Sequence, residues 1–105
     1  MNRRKSKEKN DEFELVMGVC WYTLEEFIKM KQIASDKNRF EDTFEEWLEV
    51  AEKTLNDLKK REVNPRKVNV KTGDFRWWCE KNNLAPDGAA RTKYVAEILE
   101  SQQDD

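Results

Sequence analysis

The chain has 105 residues, enough for one hydrophobic core and too few for two. Hydrophobic residues make up 37% and charged residues 40%, with 20 bases against 22 acids, so no global field draws the chain to nucleic acid or to an anionic membrane. There is no histidine, which removes the commonest general base and any Ser-His or Cys-His nucleophile, and Cys20 and Cys79 alone cannot complete a zinc site.

Residues 1–12, MNRRKSKEKNDE, carry no apolar side chain after Met1 and are expected to form a disordered basic tail. Arg3, Arg4 and Lys5 ahead of an apolar run ending at Cys20 have the outline of a lipoprotein leader. Asp11, Glu12 and Glu14 interrupt the approach, Val19 stands where a small residue is required, and the apolar run is short. The reading is therefore a cytoplasmic protein with reduced thiols, and no stretch reaches the ~20 apolar residues of a membrane span.

Residues 13–22, FELVMGVCWY, are rich in β-branched and aromatic side chains and read as a buried strand, in which Gly18 marks a bulge or a close backbone approach. Thr23 with Glu26 forms a capping box for a helix through about Ala34, whose core face is Leu24, Phe27, Ile28, Met30 and Ile33. A polar connection, SDKNRFED, follows, with Phe40 expected to tuck against the next helix.

That helix, residues 43–61, carries the strongest pattern in the chain: Phe44, Trp47, Leu48, Ala51, Leu55 and Leu58 recur at one helical face behind a Thr43–Glu46 capping box. Its acids (Glu45, Glu46, Glu49, Glu52) precede its bases (Lys53, Lys59, Lys60, Arg61), which complements the helix dipole. The hexads TLEEFI and TFEEWL share helix-start grammar and do not extend into a repeat.

Asn64-Pro65 reads as a turn and residues 66–71, RKVNVK, as a half-exposed second strand. Asp74 is the expected N-cap of a short helix over residues 75–82, and Pro86 or Asp87 begins a last helix with Ala90, Tyr94, Val95, Ile98 and Leu99 inward. The predicted fold is α+β: a single small domain over residues 13–100 in the order β-α-α-β-α-α, with a two-stranded sheet packed on helices. Antiparallel pairing is favoured because an αα-hairpin returns the chain to the end it left. Residues 101–105, SQQDD, are expected to fray.

No catalytic, cofactor-binding or metal-binding residue emerges. Cys79 lies past the first turn of its helix beside Phe75 and Trp78 and reads as core, as does Cys20 in the apolar strand. An enzyme relying on carboxylates such as Glu46 or Asp87 would need a concave pocket holding one with a shifted pKa. The favoured function is a non-enzymatic interaction module, a homodimer among the options, meeting a protein partner through a sheet edge with Val68 and Val70 and through Trp77, which points away from its helix's apolar side and either lies exposed or covers the sheet or the last helix. The alternative is nucleic-acid binding by Lys59, Lys60, Arg61, Arg66, Lys67, Lys71 and Arg76, seven bases against Glu62 and Asp74, joined by Arg91 and Lys93 of a helix-turn-helix-like C-terminal pair.

Gly18-Val19-Cys20-Trp21-Tyr22, then Asp42-Thr43-Phe44-Glu45-Glu46-Trp47-Leu48 with Ala51-Glu52, then Phe75 with Trp78-Cys79, and Asp87 with Ala89-Ala90-Arg91, resemble a group of short bacterial hypothetical proteins of unknown function. The resemblance covers residues 15–99. It implies a bacterial cytosolic setting and transfers no functional residue.

Overall fold

A computed structural model describes residues 15–103. The expected basic tail lies outside them, as do residues 13 and 14 of the expected first strand. The elements are β1 (Leu15–Trp21), α1 (Leu24–Ile33), a 3-10 turn (Lys37–Arg39), α2 (Phe44–Lys60), β2 (Val63–Asn69), α3 (Thr72–Lys81) and α4 (Gly88–Gln103). This is the predicted order, in a small α+β domain with four α-helices and two strands among the described residues.

The antiparallel expectation is overturned: β1 and β2 run parallel, from Leu15 opposite Val63 to Trp21 opposite Asn69. The reason lies in the unequal helices between them. With 17 residues, α2 is ~26 Å long and alone spans a strand of ~23 Å, so one helix makes the return journey. The shorter α1 packs against α3 at the far end of the sheet instead of forming a matched hairpin with α2.

The helix-start signals resolve into two kinds. At α2 the capping box is complete, Glu46 N–H donating to Thr43 Oγ1 at 3.1 Å and Thr43 N–H to Glu46 Oε1 at 3.3 Å. At α1 only half of the expected box forms: Glu26 N–H donates to Thr23 Oγ1 at 3.2 Å, but the Glu26 carboxylate accepts from Thr72 N–H at 2.8 Å. Glu26 thereby supplies the acceptor that the first turn of α3 needs, and α3 begins at Thr72 with Lys71 as its N-cap residue, not at Asp74. At the other end of α3, Asn83 adopts φ 57° and Leu84 N–H donates back to the Cys79 carbonyl at 2.9 Å, a Schellman closure in which Asn tolerates the left-handed backbone.

The core lies between the sheet and the helices, with Tyr22, Phe27, Met30, Val68, Val70, Phe75, Cys79, Ala90 and Val95 buried. Phe40 packs on Tyr22 and Phe27 at ring separations of 6.5 and 6.0 Å, completing the aromatic group under α1 rather than tucking against α2 alone. Gly18 is where α4 comes down on the sheet. A Cβ there would stand 2.6 Å from Val95 Cγ1, so glycine is needed for the approach itself.

Candidate interaction surface

Among the described residues the sheet has two strands and so two unpaired edges, and they differ in chemistry. Val70 N–H donates to the Trp21 carbonyl at 3.0 Å, which fixes the directions of the backbone groups. Since these alternate along a strand, the odd residues of β1 face β2, while Val16, Gly18 and Cys20 turn their N–H and C=O outward. By the same alternation Pro65 sits in β2 with its ring nitrogen on the outer side, where a proline removes no ladder bond. The outer strand β2 also carries Arg66 and Lys67, both exposed. Proline and charge are the usual guards of a sheet edge. The sequence of β1, LVMGVCW, has neither.

The open edge of β1 is flanked by space. A groove of about 510 Å³ runs between Val16, Met17 and Gly18 on one side and Thr92, Ala96, Leu99 and Glu100 of α4 on the other. A second, of about 280 Å³, continues past Gly18 and Cys20 toward Gly88, Arg91 and Thr92. Gly18 and Thr92 line both, so the outward backbone groups of β1 border one trough whose α4 wall sets Gly88, Thr92 and Ala96 among the larger Arg91, Val95, Leu99 and Glu100. On the opposite face of the sheet, Trp21 is covered by Trp47 of α2 at 5.2 Å and by Lys67 Nζ at 4.4 Å from its ring. Among the described residues nothing comparable covers the start of the strand, where Leu15 is 57% and Met17 51% exposed.

The polar centre of the molecule sits just inside this edge. Arg91 on α4 donates to both carboxylate oxygens of Asp36, at 3.0 and 2.7 Å, with the guanidinium stacked 4.7 Å from the Phe40 ring centre. Their side chains are 14% and 19% exposed. The Arg91 hydrogen bond, above all, holds the Asp36 carboxyl below the usual carboxylate range. Burial alone would pull the Arg91 pKa down, and the Asp36 hydrogen bond and charge more than offset it. A cavity of about 190 Å³ beside the pair is lined by Cys20, Tyr22, Arg39, Phe40, Glu41 and Trp47. Burial pushes the Cys20 thiol up and does the same to the Tyr22 phenol, so both stay protonated at neutral pH. With thiol and phenol protonated and the ion pair closed on itself, the cavity holds no activated nucleophile.

The residues singled out from the sequence separate. Trp77, for which the sequence leaves exposure and packing on another element equally open, is 61% exposed, with Lys81 Nζ 5.0 Å from its ring, but it is not among the residues bordering the β1 trough. Val68 and Val70 are 2% exposed: they point into the core on the α4 side of the sheet and offer no side chain to a partner, which corrects their place in the expected interface. Of the basic set, Lys59, Lys60, Arg61, Arg66, Lys67, Lys71, Arg76 and Lys93 are exposed. Arg66 and Lys67 point to opposite faces of the sheet, and Arg76 Nε lies 3.5 Å from Glu80. Arg91 is withdrawn into the Asp36 pair, and Asp87 Oδ1 accepts from Ala90 N–H at 2.9 Å, occupying the N-terminus of α4. The edge of β1 was missed in favour of the valines of β2. The available signal was the contrast between uncharged LVMGVCW and VNPRKVN with its proline and bases.

Among the described residues no group of three His, Cys, Asp or Glu gathers to hold a metal ion, and no helix is long and apolar enough to cross a membrane. Neither curated proteins nor solved structures give a match to the chain. A family model described as a domain of unknown function (DUF8829) matches residues 3–104, and the chain belongs to that family.

Proposed function

We propose that this protein is a non-enzymatic interaction module that accepts an extended segment of a protein partner on the open edge of β1. The observation that carries the reading is the unequal treatment of the two edges: proline and two bases on β2, none on β1, and a trough beside β1 that leaves its outward backbone groups accessible. Strand addition draws affinity from main-chain hydrogen bonds and takes specificity from alternate side chains, here Leu15 and Met17 on the face that α2 leaves open. Trp77 offers a separate contact on the surface of α3. A nucleic-acid partner is less well supported, because Arg66 and Lys67 diverge and Asp36 retains Arg91.

Residue-resolved amide hydrogen exchange tests this. A lysine-flanked synthetic peptide copying residues 15–21 is expected to slow exchange at Val16, Gly18 and Cys20 and to leave the outward amides of β2 unchanged. If neither that peptide nor raised protein concentration protects the three amides, the edge does not accept a strand and the reading fails.

A further inference from the structure

We infer that the segment accepted by β1 is β1 of a second copy of this chain, paired antiparallel about a two-fold axis at Gly18. The inference rests on the strand-accepting reading above and names its partner.

The register follows from arithmetic. Gly18 is the central residue of the seven in Leu15–Trp21, and Val16, Gly18 and Cys20 are the residues with outward backbone groups. A two-fold at Gly18 sets Gly18 opposite Gly18 and Val16 opposite Cys20, and each such pair exchanges two N–H···O=C bonds. Every outward donor and acceptor of both strands is then used. The residues between them form the closer, non-hydrogen-bonded pairs, Met17 with Val19 and Leu15 with Trp21, all apolar and all on the face that exposes Leu15 and Met17.

Charge and symmetry select this pairing over its rivals. Two β1 strands bring no charge together, whereas two β2 strands paired about their centre would gather Arg66 and Lys67 of both copies. Pairing β1 to β2 of another copy would be head-to-tail and would meet the proline edge, while the β1 pair is isologous and closes. The helices agree with it. Glu100 lines the trough beside Val16, and Gly88 and Thr92 line it beside Cys20, so α4 runs antiparallel to β1. The two-fold therefore sets the two α4 helices antiparallel to each other, Glu100 of each copy toward the Gly88 end of the other. Thr92 and Ala96 face the axis with little bulk.

Sedimentation equilibrium of the full chain tests the partner. A dimer is expected, weakened at least tenfold by Met17→Lys, a change at an exposed position, and unaffected by Arg66→Glu at an exposed position of β2. In a Met17→Cys/Val19→Cys chain, oxidation is expected to join position 17 of one copy to position 19 of the other, because non-hydrogen-bonded antiparallel pairs lie within disulfide range. A dimer that ignores Met17→Lys and does not cross-link there overturns the inference, as does a series of growing oligomers. A monomer whose β1 amides are protected by the peptide removes the second copy and leaves the strand-accepting edge standing. A monomer without that protection removes both.

Discussion

Arg91 and Asp36 meet across 55 positions of sequence, and the contact decides what each residue is available for. Arg91 near the start of a helix reads, from sequence, as a phosphate contact; only the fold shows the acid that claims it. No local pattern joins two residues so far apart, which is why the buried pair was not legible. Replacing Asp36 with Asn leaves a mostly buried guanidinium without its counter-charge, and a loss of about 2–4 kcal/mol is expected in urea unfolding at neutral pH. The pH dependence has a definite sign. Asp36 is held below its ordinary value, so its contribution is complete above the unfolded-state pKa of ~3.9 and disappears as pH falls through the lower folded value. Urea midpoints taken between pH 6 and 2 should fall less in Asp36→Asn than in the parent over the acid end. Gly18 presents the opposite case, a residue whose sequence context already allowed a close approach. With Val95 Cγ1 only 2.6 Å from the place a Cβ would take, Gly18→Ala should cost ~1–3 kcal/mol, and a double-mutant cycle should show a smaller loss in a Val95→Ala background.

At the scale of elements, the four helices were legible because each carries its own periodic apolar face and a recognisable start or stop. The exceptions are places where the deciding group lies elsewhere in the chain. From the sequence Asp74 is the N-cap of α3, because aspartate suits that position; the first turn is instead capped by the carboxylate of Glu26, 46 positions from Thr72. Strand β2 was expected to begin after Asn64-Pro65, since that pair reads as a turn. It begins at Val63, because an edge strand with its outer side free tolerates a proline there. The Glu26 contact is also the tie between α1 and α3, reinforced by Thr72 Oγ1 donating to the Glu26 carbonyl at 3.2 Å. Glu26→Ala should therefore lower stability by about 1.5–3 kcal/mol, more than an exposed acid near a helix start would suggest, and should speed amide exchange in the first turn of α3. The amide of Thr72, through its hydrogen bond, lowers the Glu26 pKa, so this contribution too is present above the unfolded-state value and is lost on acidification.

For the molecule as a whole, strand order could be read from the chain and strand direction could not. An αα connection permits either direction, and the choice depends on whether both helices or one makes the return, which turns on packing between α1 and α3. The same limit applied to the candidate surface: the residues of β1 were visible, but which of its groups face outward follows only once β2 is placed beside it in register. If the second copy occupies that edge, stability is linked to protomer concentration. A tenfold increase in protein should then add up to about 1.4 kcal/mol to the apparent unfolding free energy, measured by urea midpoints across a dilution series, while Met17→Lys should show no such dependence. The parallel register has a further consequence in time. Gly18 lies opposite Arg66, 48 positions later (66 − 18), so at ~5–20 residues per second of synthesis the first strand waits several seconds for its neighbour to be made. During that interval the uncharged segment LVMGVCW is the stretch most exposed to mispairing with other nascent chains, and losses of yield on overexpression should trace to it.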